Sequence, residues 1–446
     1  MSSAYPEDTI TAVATAPGRA GIGIVRVSGP DSRNIAQALL GACPEPRLAT
    51  LADFKDSDGL VLDQGIALFF EAPHSFTGED VLELQGHGGP VVLDMVLTRV
   101  LELGARMANP GEFSQRAFLN DKLDLAQAEA ISDLIDSGTR QAAAGAMRSL
   151  QGQFSSFVNE LIAEVINVRV HVEAAMDFPE EEIDFLADER ISTQLRDIRQ
   201  SLQRLLSEAE TGRLLSDGAS VVLLGKPNAG KSSLMNRLTG TDASIVTAVP
   251  GTTRDIVEQQ LQIDGIPLQI IDTAGIRKSG DEIEAEGVRR AMVASDRADL
   301  AIVVVDASLP DASFDLDELS GLTNVDTLVV YNKVDLLRDP NLPDDVLGVS
   351  ALTGSGMESL KLAIKTRLGV ETPVESGSTS RTRHLTALRA GLESLERGLQ
   401  QLEIDRAGEL LAEELKACQG CLSEITGEFT ADDLLGEIFS SFCIGK

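Results

Sequence analysis

Three shifts of pattern along the 446 residues predict a multidomain α/β protein. A mixed α+β region comes first, a long helical stretch follows, and strands then alternate with helices before helical spacing resumes. At about 150 residues per domain, the length alone gives roughly three domains. Hydrophobic residues make up 43% and charged residues 24%, enough to bury large cores and to exclude wholesale disorder.

In residues 1–118, Gly23–Val27 (GIVRV), Gly65–Phe70 and Val81–Gln85 read as strands, being short, apolar and rich in β-branched or aromatic residues. Ser28-Gly29-Pro30-Asp31-Ser32 reads as a turn ending in helix N-cap chemistry. Gly86-His87-Gly88-Gly89-Pro90 breaks into a helix carrying Val91–Leu103. Residues 119–213 are expected to be helical. Between 122 and 212 the only proline is Pro179, and Leu123, Ala126, Ala130 and Leu134, then Phe157, Leu161, Val165 and Val168, recur every three or four residues. Pro179-Glu180-Glu181-Glu182 reads as an acidic helix start.

From 214 to 372, the apolar runs Val221–Leu224, Leu268–Ile271, Leu300–Val305, Leu328–Val330 and Val346–Val349 alternate with helical stretches, the pattern of a doubly wound sheet. Thr372–Ser380 has linker composition. Helical spacing runs from His384 to Phe442, so 119–213 and 373–446 are expected to form one discontinuous helical bundle around the insert.

Lys and Arg number 38 against 70 Asp and Glu, a net charge of −32, so wrapping nucleic acid over the whole surface is disfavoured. A basic partner or a local patch must supply any such attraction. With no Trp and two Tyr, little is left for a base-stacking platform. There is no run of 18 apolar residues, so no membrane span is expected. Met1–Pro6 does not read as a signal peptide, and Cys43, Cys418, Cys421 and Cys443 are too few for a disulfide framework. A cytoplasmic protein is expected.

Gly225-Lys226-Pro227-Asn228-Ala229-Gly230-Lys231-Ser232 follows a strand, and Ser233 continues into a helix. That is the phosphate-loop pattern: backbone N–H groups curl around phosphates, Lys231 reaches the β and γ groups, and Ser232 ligates Mg²⁺. Asp272-Thr273-Ala274-Gly275 closes the next strand, placing a carboxylate for the Mg²⁺ water shell and the Gly275 N–H for the γ-phosphate. Asn332-Lys333-Val334-Asp335 follows a third strand, and the Asp335 carboxylate can accept from guanine N1–H and N2–H₂ together, a donor pair that adenine lacks. Ser350-Ala351-Leu352 closes the base pocket. These motifs, in this order at strand ends, predict an inserted Ras-like P-loop G domain that binds GTP. In Thr247-Ala248-Val249-Pro250-Gly251-Thr252-Thr253-Arg254-Asp255, a switch-like segment, Thr253 is expected to complete the Mg²⁺ shell. Ile276 stands where many GTPases carry the Gln that orients water; Asp281, Glu282, Glu284 and Glu286 are alternative candidates.

The chain also resembles the MnmE/TrmE family of bacterial tRNA-modification GTPases. The likeness rests on Pro17-Gly18-Arg19, Gly23-Ile24-Val25-Arg26, Ser75-Phe76-Thr77-Gly78-Glu79-Asp80, Leu84-Gln85-Gly86-His87-Gly88-Gly89 and Gly111-Glu112-Phe113. It rests further on Asn120-Asp121-Lys122-Leu123-Asp124, Gly251-Thr252-Thr253-Arg254-Asp255 and the terminal Cys443-Ile444-Gly445-Lys446. The resemblance implies a homodimer with an N-terminal folate-binding and dimerisation domain. It implies action with an MnmG-like FAD- and NADH-using partner, as a heterotetramer, on C5 of the wobble uridine of certain tRNAs. The one-carbon unit would come from 5-formyltetrahydrofolate or a related tetrahydrofolate, held by Arg26, Glu83, Lys122 and Lys446. K⁺ would sit on Asn228, Thr247, the Val249 backbone and Thr252. Glu284 becomes the water-positioning acid, and the expected catalytic set is Glu284, Arg254, Asp255 and Cys443.

Ile438–Ile444 is too apolar for a free tail and is expected to dock; Cys443 is then either a nucleophile or a small buried hydrophobe. Cys418-Gln419-Gly420-Cys421 reads as incidental helix or turn cysteines. Rival readings are a ribosome-assembly switch GTPase and a scaffold in which GTP only locks a dimer.

Overall fold

The structure, a computed structural model, describes residues 8–177, 189–242, 257–263, 265–272, 298–309, 325–337, 346–369, 378–405, 407–428, 432–440, 442 and 445. The chain divides into two units, each with its own sheet.

The first unit comprises Met1–Ser132, Leu150–Asp188 and Arg397–Lys446. Its strands are β1 (Ile10–Val13), β2 (Ala20–Ser28), β3 (Thr50–Lys55), β4 (Val61–Phe70), β5 (Val81–Gly88) and β6 (Arg106–Met107), in the order β3-β4-β5-β2-β1-β6. All pairings are antiparallel except β1 with β6. Alternation decides the faces. Val25, Val27, Ala67, Phe69, Leu82 and Leu84 bury against α1 (Ser32–Leu40) and α2 (Pro90–Glu102) through Ile35, Leu39, Val96 and Val100. The other face therefore carries Arg26, directly opposite Glu83 in register. Three strands escape the sequence pattern: β1 and β6 are very short, and β3 is half-buried with Leu51 turned to solvent. At the start of α1, Asp31 occupies the N-cap position but makes no side-chain cap bond; its carboxylate accepts from Asn34 Nδ2 instead, at 3.4 Å.

Helices α3 (Glu112–Leu119) and α4 (Leu125–Asp136) follow the sheet. α6 (Gln153–Asp177) packs on a helix of Gly408–Thr426, and a short one spans Asp432–Ser440. Phe439 and Phe442 bury against Leu125, Ala128 and Phe118, so this part of the apolar segment Ile438–Ile444 docks; Ser441, Cys443 and Ile444 lie outside the described residues. Pro179–Glu182 lies outside the described residues.

The second unit comprises Asp133–Ser149 and Glu189–Glu396. It holds α5 (Arg140–Leu150) as far as Ser149, α7 (Glu189–Ser216), α8 (Lys231–Asp242), α9 (Met357–Arg367) and α10 (Thr382–Gln400) as far as Glu396; the helices of the first unit's C-terminal part are then α11 and α12. Strands β7 (Ala219–Leu224), β8 (Val257–Ile263), β9 (Ile266–Asp272), β10 (Leu300–Asp306), β11 (Thr327–Asn332) and β12 (Leu347–Gly348) order as β12-β11-β10-β7-β9-β8. Every pairing is parallel except β8 with β9. Val221, Leu223, Ile302 and Val304 enter one core, and Val222, Leu224, Val303 and Val305 the other, so the central strands are buried on both faces. β8 (VEQQLQI) escapes the sequence pattern because it is an edge strand with polar residues at alternate and adjacent positions.

The expected linker needs correction at its end. Residues 370–377 lie outside the described residues, but Thr379 and Ser380 are buried. Ser149 Oγ donates to the Thr379 carbonyl at 2.9 Å and Ser380 Oγ to the Ala209 carbonyl of α7. Hydroxyl-rich composition looks like a linker, yet here the hydroxyls make the packing possible.

Candidate functional site

The nucleotide cradle grows from the end of β7. Gly225 adopts φ 137°, Asn228 φ 65° and Gly230 φ 95°, a run of backbone turns that side chains resist. Gly225 lies so close to the Val304 carbonyl, and Gly230 to Asn332 Nδ2, that neither has room for a Cβ. The loop ends where α8 begins, at Lys231, aiming the helix N-terminus at the cradle. Lys231 is 8% exposed, and its ammonium donates to the carbonyls of Gly225 (2.6 Å) and Lys226 (3.0 Å), inside the curl of the loop.

Asn332, 2% exposed at the end of β11, joins this loop to the base side. Its Nδ2 donates to the Ala229 carbonyl at 3.0 Å, and its Oδ1 accepts from the N–H of Lys333 (2.8 Å) and of Ala351 (3.1 Å). Lys333 donates to the Asn228 carbonyl at 2.8 Å and to Asp306 Oδ2 at 2.5 Å. Ser350 Oγ donates to Asp335 Oδ1 at 2.6 Å and accepts from Thr353 N–H, which holds the Asp335 carboxylate in place. The structure thus brings Asn228, Ala229, Gly230, Lys231, Ser232, Asn332, Lys333, Asp335, Ser350 and Ala351 into one constellation, with Ser233 on α8 and Leu352 exposed beside it.

Sequence reasoning missed Asp306, which ends β10. Burial works to raise its carboxyl, but hydrogen bonds from Lys333 and Ser308 outweigh that and hold it below the usual carboxylate range. The available signal was an acidic residue closing the apolar run Leu300–Val305. Residues 247–255, 273–275 and 284 lie outside the described residues, so nothing places Thr247, Ala248, Val249, Pro250, Gly251, Thr252, Thr253, Arg254, Asp255, Thr273, Ala274, Gly275 or Glu284; Asp272 is described only as the last residue of β9.

A second constellation lies on the face of the first unit's sheet opposite α1 and α2. Arg26 donates to Glu83 Oε1 from Nε (3.0 Å) and Nη2 (2.9 Å), and Gln85 Nε2 donates to Glu83 Oε2 at 3.2 Å. The rings of Phe76 and Phe113 each lie 5.6 Å from the Arg26 guanidinium. Lys122 donates to the Pro73 carbonyl at 2.9 Å, in the same loop that carries Phe76. Lys446 and Cys443 lie outside the described residues, but Gly445 is described: its carbonyl meets Arg26 Nη1 at 3.5 Å. Gln85, Phe76 and Phe113 stand beside the expected residues and could have been found only from strand pairing and long-range packing.

Several residues that carry the family resemblance serve structure instead. Arg116 bonds Asp8 (2.6 Å), Glu79 (3.1 Å) and Glu112 (3.1 Å), and Arg106 bonds Asp8 and Glu112. Ser28 Oγ reaches Glu79 at 2.7 Å and Thr77 at 2.7 Å. Burial works to raise the Glu112 carboxyl, but bonds from Arg106, the Asn109 backbone and Arg116 hold it low.

Cys418 and Cys421 both lie on α11; burial pushes the Cys418 thiol up to about 12 and raises Cys421 as well, which suits inert helix cysteines. Among the described residues, no group of three His, Cys, Asp or Glu side chains could hold a metal, and no helix is long and apolar enough to cross a membrane.

Fold and motifs together define a multidomain P-loop GTPase. Comparison with known proteins then narrows the class. Residues 9–122 match the family described as GTP-binding protein TrmE N-terminus, and residues 125–443 match the MnmE helical domain. The chain is 54% identical to a tRNA modification GTPase MnmE of Hydrogenovibrio crunogenus, covering 98% of this chain and 99% of that one. It is 53% identical to the protein of that name from Haemophilus influenzae strain PittEE, covering 99% and 100%. Among solved structures, the G domain of the T. maritima FeoB iron transporter is similar over 33% of this chain and 98% of that one, at 28% identity and a TM-score of 0.25. The full-length relatives decide the matter: the chain belongs to the MnmE family of tRNA modification GTPases.

Proposed function

We propose that this protein hydrolyses GTP and couples that hydrolysis to modification of C5 of the wobble uridine of certain tRNAs, using a tetrahydrofolate one-carbon unit and an MnmG-like FAD- and NADH-using partner. The observation that carries the nucleotide half is the Asn332 bridge, which fixes the phosphate loop, Lys333 and Ala351 relative to one another. Lys231 and the backbone of the loop neutralise the phosphates, and the Asp335 carboxylate, oriented by Ser350, selects guanine. Ser232 and Asn228 offer hard oxygen donors on the cradle; Thr253 would join Ser232 for Mg²⁺, and Thr247, Val249 and Thr252 would join Asn228 for K⁺. Such ions supply positive charge against the phosphate oxygens when bound. With Mg²⁺ bound, Asp272 would hold its water shell, and by the resemblance Thr273, Ala274 and Gly275 would serve the γ-phosphate, with Glu284, Arg254 and Asp255 as the catalytic set and Glu284 as the acid that orients water.

In the first unit, the Arg26–Glu83 pair offers adjacent donors and acceptors, the complement of a pteridine's amide edge, with Lys122 and Lys446 available to a folate's carboxylates. Cys443 is the nucleophile candidate for the tRNA half. On this reading residues 1–118 form the folate-binding and dimerisation domain, 119–213 with 373–446 the helical domain, and 214–372 the G domain of a cytoplasmic homodimer.

The test is GTP turnover in KCl against NaCl at equal ionic strength, with Glu284→Ala beside the parent. Strong K⁺ stimulation, lost in the variant, is expected. Equal, feeble rates in both salts would discredit the K⁺ ligands and Glu284 together.

A further inference from the structure

The base side of the nucleotide cradle grips the phosphate loop at two successive carbonyls. Asn332 Nδ2 holds that of Ala229 at 3.0 Å, and Lys333 Nζ holds that of Asn228 at 2.8 Å. The two grips are kept in place differently. Asn332 is buried, and its Oδ1 is pinned by the N–H groups of Lys333 and Ala351. Lys333 reaches the loop on a flexible stem, its side chain is 31% exposed, and a strongly hydrated ammonium gains by swinging into water. Asp306 opposes that swing: its Oδ2 accepts from Lys333 Nζ at 2.5 Å.

The Asp306 carboxylate is fixed independently of Lys333. Asp306 ends β10 directly opposite Asn332 in the β10–β11 register. Its other oxygen, Oδ1, accepts from Ser308 N–H at 3.0 Å and from Ser308 Oγ at 2.6 Å, a turn closed by the side chain. Only 12% of the side chain is exposed, so the bond to the ammonium is charge-assisted and poorly screened by water. Both ends of the Lys333–Asn228 bond lie on left-handed backbone, Lys333 at φ 67° and Asn228 at φ 65°. Such conformations persist where the surroundings over-determine them. The chain from Asp306 through Lys333 to the Asn228 carbonyl supplies that constraint.

We infer that Asp306 is a positioning residue of the guanine-nucleotide site: by anchoring the Lys333 ammonium, it holds the Lys333 stem and the phosphate loop in their binding form before a nucleotide arrives. The inference rests on the nucleotide reading above and deepens it. Affinity gained in this way comes from ordering that no longer has to be done on binding. The chain of contacts runs along the base side and the loop backbone, so GTP and GDP should feel its loss equally.

The experiment uses the full-length protein. Fluorescent N-methylanthraniloyl derivatives of GDP and of the non-hydrolysable imido analogue of GTP are titrated into the parent, Asp306→Asn, Lys333→Met and the double variant. Melting temperatures are taken without nucleotide. Asp306→Asn keeps the side chain's shape and an oxygen for Ser308 but removes the charge that holds the ammonium. It should weaken both nucleotides about tenfold, the worth of one charge-assisted bond. Lys333→Met should weaken them at least as much. In the Lys333→Met background, Asp306→Asn should cost less than about twofold more, because its effect passes through the ammonium. Ser308→Ala takes the hydroxyl from Oδ1 and leaves Oδ2 to Lys333. It should bind both nucleotides within about twofold of the parent, even where its melting temperature falls. If Asp306→Asn does not fold, Asp306→Ser carries the same cycle, its hydroxyl still able to accept from the Ser308 N–H. Parent-like affinity in the Asp306 variant overturns the inference. So does a loss repeated in full in the Lys333→Met background, a loss confined to the GTP analogue, or a loss as large in Ser308→Ala. A parent that binds neither nucleotide, or parent-like affinity in Lys333→Met, overturns the nucleotide reading of this site and the inference with it.

Discussion

In the nucleotide cradle, each described functional side chain stands within a few residues of the C-terminal end of a parallel strand. Gly225–Lys231 follows β7, Asp306 ends β10, Asn332 ends β11 with Lys333–Asp335 after it, and Ser350 follows β12. In the Arg26 pocket the parts come from β2, β5, the loop around Phe76, α3 and the end of the chain; Arg26 and Gly445 are 419 residues apart. The first site is local, and the sheet brings its short pieces together at one edge. The second is assembled by long-range packing, and no single stretch of it carries chemistry alone. A local site survives disturbance elsewhere, whereas an assembled one inherits the stability of everything that frames it.

That contrast can be broken most sharply at Lys231. Lys231→Ala should lower GTP turnover by about 10²–10³-fold while folate affinity stays at the parent value; a parallel loss of folate binding would mean that the sites are not separate. Asp335→Ala comes next. Losing charge-assisted bonds should weaken GTP binding by about tenfold to a hundredfold, read by nucleotide titration, and should leave the melting temperature nearly unchanged, because the bond to the Asp335 carboxylate is a single hydroxyl bond from Ser350 at the edge of the sheet.

The ionic frame around the second site should respond in the opposite way. Glu112→Ala removes a partner from both Arg106 and Arg116 and should cost about 3 kcal/mol of stability, seen by denaturant unfolding, with GTP turnover little changed. Acid should act through the same carboxylates. Glu112 and Asp8 are held below their ordinary values in the folded state, Glu112 by bonds that outweigh its burial and Asp8 likewise through Arg106 and Arg116. Their stabilisation is therefore fully present above the unfolded-state value near about pH 4 and is lost as pH falls through the lower folded-state values. Unfolding followed from pH 6 downward should show that loss, and Glu112→Gln should flatten it. The smallest effect belongs to the cysteines: Cys418→Ala should cost about 1 kcal/mol of packing and leave both ligands' affinities alone.

The same contrast explains what the sequence makes legible. The doubly wound insert and its motifs can be read directly, since apolar β-branched runs announce central strands and the loops beyond them hold the chemistry. β8 stays hidden because an edge strand need not be apolar, and β6 because two residues carry no period. Arg26 and Glu83 are legible only through family resemblance: nothing local in GIVRV or VLELQ marks them as a pair until the β2–β5 register sets them opposite each other. Glu79 and Glu112 are the converse, motif residues whose place in the structure is the ionic frame around Arg116.

The insert also returns to where it starts. Gly212, on the helix leading into it, has no room for a Cβ beside the Ser378 carbonyl, and its missing Cβ would lie 3.1 Å from Ser380 Oγ. Strands β7 to β12 are thus hung from two stretches of backbone already in contact. For a flexible loop so closed, each doubling of length costs only about 0.6 kcal/mol of chain entropy. The helices that carry the insert are therefore nearly indifferent to its size, and segments between its strands can lengthen or shorten at little thermodynamic cost to their host.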